Sequence, residues 1–238
     1  MRKYTYILLF LGVLGFTAVG CAPRYASGRI WETSEVVDLQ GAESVSAEIL
    51  MGAGDLEVDG GADQLLEGEF RYSEKDLLPD ISYRVGDNTE GILRVEQDER
   101  PGNRFYDSYY NKWVLRLNSD IPLDLSLVLG AGECTLDLEE LNLRSFSMKM
   151  GAGEATLDLG TAPSQDLNLD IQGGVGQLTV ILPPDARIEA HITGGLGEIN
   201  LSGLMGQNGS YVSEYQGSGP VIRMEIEAGI GELNLLVR

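Results

Sequence analysis

The segment LGAGECTL at residues 129–136 carries the pattern that decides the fold, because five other segments repeat it. The six copies are MGAGDLEV (51–58), LGAGECTL (129–136), MGAGEATL (150–157), GGVGQLTV (173–180), GGLGEINL (194–201) and AGIGELNL (228–235). Each contains a Gly-x-Gly unit, and the second glycines of these units are Gly54, Gly132, Gly153, Gly176, Gly197 and Gly231. From Gly132 onward these glycines are 21, 23, 21 and 34 residues apart. The chain therefore has an internal repeat of about 21 residues.

Apolar and polar residues alternate on both sides of each Gly-x-Gly unit. After Gly132, the apolar residues Cys134 and Leu136 alternate with the polar residues Glu133 and Thr135. A period of two residues is typical of a β-strand with one buried face. We therefore predict that each copy forms two short strands joined by a corner at which glycine accepts a positive φ. The residue between the two glycines is apolar in every copy, and we expect it to point inward.

One such unit cannot bury its apolar face alone, so successive units are expected to stack, each pairing in parallel with the next. The predicted fold class is all-β, with a right-handed, single-stranded parallel β-solenoid over residues 121–238 that is similar to a β-helix. The 34-residue spacing places extra residues in the Gly/Ser-rich segment 203–220, which we predict to be an excursion loop.

Residues 36–120 are predicted to form an N-terminal β subdomain, because the repeat is absent between Gly61 and Asp120. The alternation there predicts four strands, and Gly86-Asp87-Asn88 offers the turn of a hairpin. The strands are Leu65–Tyr72, Ile81–Val85, Gly91–Gln97 and Lys112–Asn118. We expect this subdomain to cover one end of the stack, where strand edges would otherwise be unpaired.

The first residues of the chain predict export. Residues 1–20 combine a short basic start with an apolar core of signal-peptide length. The segment ends Ala-Val-Gly-Cys, which resembles a bacterial lipobox and predicts that Cys21 carries a lipid anchor, with residues 21–35 containing the anchor and its tether. The alternative is an ordinary signal peptide, which leaves Cys21 as a free thiol or as a disulfide partner of Cys134. The predicted location is a bacterial membrane, either the outer membrane or the cell surface.

Charge and composition argue against several classes of function. The chain has 37 acidic against 17 basic residues, a net charge of -20, one histidine and two cysteines. Nucleic acid is excluded as a partner, because its phosphates are bound through clustered Lys and Arg. Zinc sites and histidine-based catalysis are disfavoured by the same counts. We expect no metal, no small-molecule cofactor and no catalytic residue.

The sequence resembles the bacterial toast-rack family over most of residues 36–238. The resemblance rests on KWVLRLNSDIPLDLSLVLGAGECTLDL from Lys112, above all its WVLRLN and PLDL segments, and on the paired GAG units. It implies a cell-envelope protein with an N-terminal β domain and a stacked β repeat, of a kind often described as adhesins. It implies no catalytic residue.

Some residues invite tests for chemistry. The GGxG units match the opening of a calcium-binding nonapeptide, but Leu178 and Ile199 stand where its aspartate is required. Glu133, Glu154, Gln177 and Glu198 are expected to form an outward column, which we interpret as a solvated acidic stripe rather than a cation site. His191, with Asp170 and Glu225 as expected neighbours, is interpreted as a surface histidine, and Cys134 as a small buried residue.

The best candidate for partner binding is the segment from Arg104 to Trp113, which holds five aromatic residues. These are Phe105, Tyr106, Tyr109, Tyr110 and Trp113. Aromatic faces beside amides and carboxylates bind sugars or proteins. The alternative is that the rings pack as a small core, and a weaker second candidate is the pair Tyr211 and Tyr215.

We conclude from the sequence that the chain is a non-enzymatic envelope lipoprotein, a rigid platform that binds a protein or a glycan. Two alternatives stay open. One is a regulatory partner of a membrane complex in an envelope-stress system. The other is a β-helix polysaccharide lyase or hydrolase, which would need a cleft with paired carboxylates or basic groups.

Overall fold

A computed structural model describes residues 29–97, 110–215 and 217–238. These residues form β-strands and one short 3-10 helix, Lys75–Leu77. The strands are β1 (Trp31–Val37), β2 (Ser44–Asp59), β3 (Leu66–Tyr72), β4 (Asp80–Val85), β5 (Glu90–Glu96), β6 (Asn111–Leu117), β7 (Leu123–Asp137), β8 (Leu143–Asp158), β9 (Leu167–Gln172), β10 (Val175–Leu182), β11 (Arg187–Ser202), β12 (Leu204–Gln207), β13 (Ser210–Ser213) and β14 (Val221–Val237). The all-β class predicted from the sequence is confirmed.

The repeat forms long strands that bend at the Gly-x-Gly corner. β2, β7, β8, β11 and β14 each run through the corner without interruption, whereas one copy is divided between β9 and β10. The strands pair in parallel and in register, so that Gly132 lies opposite Gly54 on one side and Gly153 on the other. The predicted parallel stack of repeats is therefore confirmed.

Each bent strand contributes to two sheets. We call the part before the corner the first limb and the part after it the second limb. In β2 the first limb pairs with β5, whereas the second limb pairs with β6. The inward residues of both limbs belong to one hydrophobic core, as Ile49 and Leu56 of β2 illustrate with exposures of 1% each. Two sheets thus make each coil, with the core between them.

The order of the coils departs from the order of the sequence. The expectation that each unit pairs with the next is wrong at one place: the fourth copy, β9–β10, does not pair with the fifth, β11, because the sixth, β14, lies between them. After β11 the chain forms the hairpin β12–β13, which pairs antiparallel with the outer edge of the β11 first limb at Glu189–His191. The outer position is therefore occupied there, and β14 gains backbone partners on both sides by inserting one place inward.

The segment 203–220 is consequently not the excursion loop predicted from its composition. It contains β12 and β13, and the positive φ values of Gly203, Asn208 and Gly209 serve the bends around them. Its hairpin covers the first limb of β11.

Strands outside the repeat cover the other end of the stack. β5 extends the first-limb sheet and carries β4 antiparallel beyond it, through a hairpin that turns at residues 86–89. β6 extends the second-limb sheet and is followed outward by β3 and then β1. β3, β4, β5 and β6 begin and end within a residue of the strands expected from the sequence, and their apolar residues join the core of the repeats. β1 was not expected: it begins at Trp31, inside the segment 21–35 predicted to contain the anchor and tether, because it pairs antiparallel with β3.

The residue between the glycines points outward, contrary to our expectation of an inward stack. Val175 and Ile230 are each 54% exposed, and Leu196 is 73% exposed. The second glycine of every unit has φ between 130° and 154°, which directs the chain around the corner. No side chain fits on its inner side, since a Cβ at Gly153 would lie 1.9 Å from the carbonyl oxygen of Gly132. The middle residue is left on the convex surface.

Candidate binding surfaces

The aromatic segment is not a single exposed cluster. Trp113 is fully buried, and its indole N–H donates to Asn111 Oδ1 at 3.0 Å while its ring meets Phe70 edge to face, with centroids 5.7 Å apart. Its assignment as a partner contact is therefore corrected: it lies on the inward face of β6 and fills the core. Tyr110 is half-buried beside the segment's end. Phe105, Tyr106 and Tyr109 lie outside the described residues.

The weaker aromatic pair also loses its role as an exposed site. Tyr211 is half-buried on β13, opposite Ala190, and packs against the core. Tyr215 is half-buried as well. Both rings are therefore only partly accessible to a ligand.

The outward acidic column exists, with two additional members, of which the first is Asp55, the register partner of Glu133. Because β14 is inserted, Glu232 lies between Gln177 and Glu198 in the pairing register. Within the described residues no group of three or more His, Cys, Asp or Glu side chains is placed to hold a metal ion. The neighbouring column of Thr135, Thr156 and Thr179 continues with two asparagines, and Asn200 Nδ2 donates to Asn234 Oδ1 at 3.0 Å. This second column holds the sheet together through side-chain hydrogen bonds.

His191 and Cys134 occupy contrasting positions. His191 is exposed, and its Nδ1 lies 3.3 Å from Ser210 Oγ. Glu225 is its register partner, whereas Asp170 is one strand further away. Cys134 carries a free, buried thiol whose pKa is raised by burial to about 12. A thiol with so high a pKa is a poor nucleophile near neutral pH.

A groove lies on the outer face of the first-limb sheet. It has a volume of about 500 Å³ and crosses β4, β5, β2, β7 and β8. Its floor is made of two rows of outward side chains that follow the pairing register. One row is Arg84, Ile92, Ser46, Asp124 and Ser145, and the other is Ser82, Arg94, Glu48, Ser126 and Ser147.

Small hydroxyl side chains give the groove its depth. Five of its ten outward residues are serines, whose side chains are shorter than those of the arginines, the glutamate and the isoleucine in the same rows. Ser147 Oγ donates to Ser126 Oγ at 3.0 Å, and Ser145 Oγ donates to Asp124 Oδ1 at 2.6 Å. Each hydroxyl keeps further donor or acceptor capacity toward solvent. The floor can therefore hydrogen-bond a polar ligand at many points.

The groove is charge-balanced within a strongly acidic chain. Two basic residues, Arg84 and Arg94, and two acidic residues, Glu48 and Asp124, line it. Arg94 is paired with Glu48 and with Glu96, and the hydrogen bond to Glu96 raises the pKa of Arg94, so the guanidinium stays charged. Because the paired charges neutralise one another, the groove favours a neutral polar ligand over a strongly charged one.

Sequence reasoning missed this groove although a signal was present. Ser46, Ser126 and Ser147 alternate with buried apolar residues in the first limbs of β2, β7 and β8. That alternation predicts their outward direction, but only the pairing register shows that they lie side by side.

Cys21, the predicted lipid attachment site, lies outside the described residues. No helix within residues 29–97, 110–215 and 217–238 is long and apolar enough to cross a membrane.

The chain is similar to a known protein family and to a solved structure. Residues 26–181 match the family model for the N-terminal domain of toast-rack proteins. A crystal structure of a candidate cell adhesion protein from Clostridium sporogenes is 32% identical, covers 88% of this chain and all (100%) of that chain, and superposes with a TM-score of 0.82. A comparison with curated proteins gives no match.

Two more distant structures also align. A candidate adhesin from Bacteroides fragilis is 9% identical, with 88% of this chain and 98% of that chain covered and a TM-score of 0.24. One from Parabacteroides distasonis is 13% identical, with 87% and 98% covered and a TM-score of 0.25. Neither similarity is close enough to bear on the site.

Proposed function

The chain belongs to the toast-rack family, and from this membership we propose that it is an exported, lipid-anchored protein of the cell envelope that adheres to a glycan. The similarity to a candidate cell adhesion protein over the full length of that protein supports an adhesive role. The stack acts as a rigid platform, and it binds its ligand without transforming it.

The groove is the observation that carries this proposal. Its hydroxyl-rich, charge-balanced floor matches the hydroxyl groups of a neutral sugar, which both donate and accept hydrogen bonds. Ile92, which is 39% exposed, adds apolar surface for the ring carbons. The volume lies within the range of ligand sites, about 300–1,000 Å³.

A non-catalytic role is supported by the state of the two side chains best suited to nucleophilic or acid-base chemistry. Cys134 is buried with its pKa raised, and exposed His191 has a serine rather than a carboxylate within hydrogen-bonding distance. The carboxylates of the groove, Glu48 and Asp124, are each held by an arginine. Held in this way, they are better suited to orient a ligand than to donate a proton to it.

The groove is tested by filling it. Ser126→Tyr places a phenol ring on its floor, and we expect the affinity for purified envelope polysaccharides, measured by glycan array and calorimetry, to fall by at least about ten-fold. Thr156→Tyr is the matched control, since Thr156 faces outward on the second limb of β8, in the other sheet. Equal affinity of both variants and the wild-type protein, with unchanged circular dichroism, would show that the groove is not the glycan site.

The anchor is tested separately. We expect Cys21→Ser to move the protein from the membrane fraction to the soluble fraction, because stable anchoring requires more than one acyl chain and the serine accepts no thioether-linked lipid. Unchanged partitioning would refute the lipid anchor but would leave glycan binding by the groove intact.

The aromatic segment stays a second candidate contact of the same protein. Replacing Phe105, Tyr106 and Tyr109 with Ser tests it, while Tyr110 and Trp113 are kept because they are partly or fully buried. If this variant loses glycan affinity and Ser126→Tyr does not, the contact lies in the segment rather than in the groove.

A further inference from the structure

One strand edge at the C-terminal end of the stack is open. β11 pairs with β14 along its whole length, but on its other side β13 pairs only with Glu189–His191. Residues 196–202, the second limb of β11, have no strand on that outer side among the described residues. We propose that this open edge binds an extended segment of another protein, which adds to the second-limb sheet as its next strand.

The core itself is uncovered at this edge. Ile199 is 40% exposed, although it occupies the inward position that is almost fully buried in every other coil. The equivalent residues, with their exposures, are Leu56 (1%), Cys134 (2%), Ala155 (3%), Leu178 (6%) and Leu233 (4%). Each of these has a strand on both sides, whereas Ile199 has β14 on one side only. An added strand would complete the burial of Ile199.

The open edge offers enough surface for strand addition. Its seven residues span about 23 Å at 3.3 Å per residue. Leu196 is 73% exposed at the corner, and Leu201 is half-buried at the next inward position after Ile199. Main-chain hydrogen bonds to such an edge supply affinity, and alternate side chains supply specificity. A segment with apolar residues at every second position would fit over Ile199 and Leu201.

Charge selects another protein rather than a second copy of this chain. Glu198 points outward on the open edge, in register with Glu232 of β14, and no ion pair of the described residues joins either to a Lys or Arg. A two-fold pairing of two open edges would bring their Glu198 carboxylates close together in a chain of net charge -20. A segment whose polar positions carry Lys or Arg would instead meet Glu198 with opposite charge.

This interaction surface is separate from the glycan groove. The groove lies on the first-limb sheet at β4, β5, β2, β7 and β8, whereas the open edge belongs to the second limb of β11. The two sites can therefore be tested independently on the same protein.

The test uses the full chain and an end-blocked peptide of about nine residues in which valine and lysine alternate. We expect the peptide to slow amide hydrogen exchange selectively in residues 197–201, because strand addition protects the outward amides of the edge. A peptide of equal composition with its valines and lysines in two separate blocks is the control. No slowing, or equal slowing by both peptides, would overturn the proposal.

Two variants locate the effect. Ile199→Lys places a charge in the uncovered core position and should abolish the protection. Val175→Lys is the control and should leave the protection unchanged. Val175 is a corner residue that is 54% exposed but lies between paired strands. Glu198→Lys serves if Ile199→Lys does not fold: we expect about ten-fold weaker binding of the lysine peptide and a gain of binding for a valine–glutamate peptide. Unchanged preference for lysine in Glu198→Lys would contradict the charge argument.

Sedimentation of the wild-type protein tests whether a second copy of this chain occupies the open edge instead. We expect the wild-type protein and Ile199→Lys to have the same oligomeric state. A dimer that protects residues 197–201 without peptide, and that Ile199→Lys dissociates, would show that a second copy occupies the open edge.

Discussion

The two ends of the stack differ in how completely additional strands cover their edges. At the N-terminal end both sheets continue into strands outside the repeat, β5 and β4 on the first limb and β6, β3 and β1 on the second. At the C-terminal end the hairpin β12–β13 covers the first limb alone. The same inward position is 1% exposed at Leu56 and 40% exposed at Ile199. The terminal coil of a parallel repeat always has an unpaired edge. Whether that edge is covered depends on strands from outside the repeat.

The residue between the two glycines also differs between the two ends of the stack. The residue between the glycines is alanine in the coils nearest the N-terminal end, at Ala53, Ala131 and Ala152. In the last three coils it is Val175, Ile230 and Leu196, all more than half exposed. Apolar surface therefore increases toward the end that is only half covered, which is where the chain is best prepared to meet a partner.

The largest effect should come from Gly153→Val, in the middle of the stack and distant from both ends. The residue has φ 130°, and the new Cβ would lie 1.9 Å from the carbonyl oxygen of Gly132. We expect the free energy of unfolding to fall by more than about 4 kcal/mol, because the strand cannot shift without breaking both of its parallel pairings.

Gly41→Val is the control for Gly153→Val. Gly41 also has a positive φ, 78°, but no atom lies within 4 Å of the position of its Cβ. It therefore measures the conformational cost alone, about 1–3 kcal/mol. Equal losses in denaturant melts of the two variants would mean that backbone contact at the corner contributes nothing.

Truncating one buried residue at each end measures the difference between the ends directly. Trp113→Ala removes a fully buried ring at the covered end and should cost about 3–5 kcal/mol. Ile199→Ala at the half-covered end should cost less than about 1 kcal/mol, because the side chain is already 40% exposed. Similar costs in urea unfolding would show that both ends are equally packed.

Local patterns in the sequence were sufficient for the strands of the repeat, for β3 to β6, and for the parallel stacking. Alternation fixes which face of β7 or β8 is inward, and the recurring glycine fixes the register from coil to coil. The position of β14 could not be predicted in this way. Its sequence pattern is equally compatible with pairing to β11 on one side only and with pairing to β10 and β11 on its two sides. The deciding feature, the hairpin at 204–213, lies in a segment whose composition predicts a loop.

The candidate site was harder to predict than the fold. The concentration of aromatic residues around Trp113 suggested an exposed surface, but Trp113 follows the alternation of β6 and fills the core. The serines of the groove are unremarkable one by one. They become a site only because Ser46, Ser126 and Ser147 fall on neighbouring strands that bend around the same face, which depends on pairings between residues far apart in the chain.

Thiol labelling compares a coil inside the stack with the half-covered end. Cys134 is 2% exposed with its pKa raised to about 12, so iodoacetamide should modify it at pH 8 only through unfolding. In Ile199→Cys the introduced thiol occupies the equivalent position of the last coil, and we expect it to react at least about ten-fold faster than Cys134. Peptide mapping by mass spectrometry separates the two sites. Equal rates would contradict the difference in coverage between the interior coil and the last one.

The smallest effect concerns the contact that fixes the inserted strand to the coil beside it. Asp166 accepts a hydrogen bond from the backbone N–H of Val221 at 2.9 Å and one from Arg223 Nη1 at 3.0 Å, so it joins the turn before β9 to the start of β14. The hydrogen bond from the Val221 backbone, and then that from Arg223, lower the pKa of Asp166. A carboxyl whose pKa is lowered by folding contributes stability that is present above its unfolded pKa and is lost as pH falls through the folded pKa.

Because the side chain is exposed, we expect Asp166→Asn to lower the melting temperature only slightly near neutral pH. The difference from the wild-type protein should shrink as pH falls through the lowered pKa of Asp166 and vanish once the wild-type carboxyl is itself protonated. Thermal melts at several pH values test this, and a difference that persists in acid would mean that the asparagine perturbs the start of β14 by its shape rather than by its missing charge.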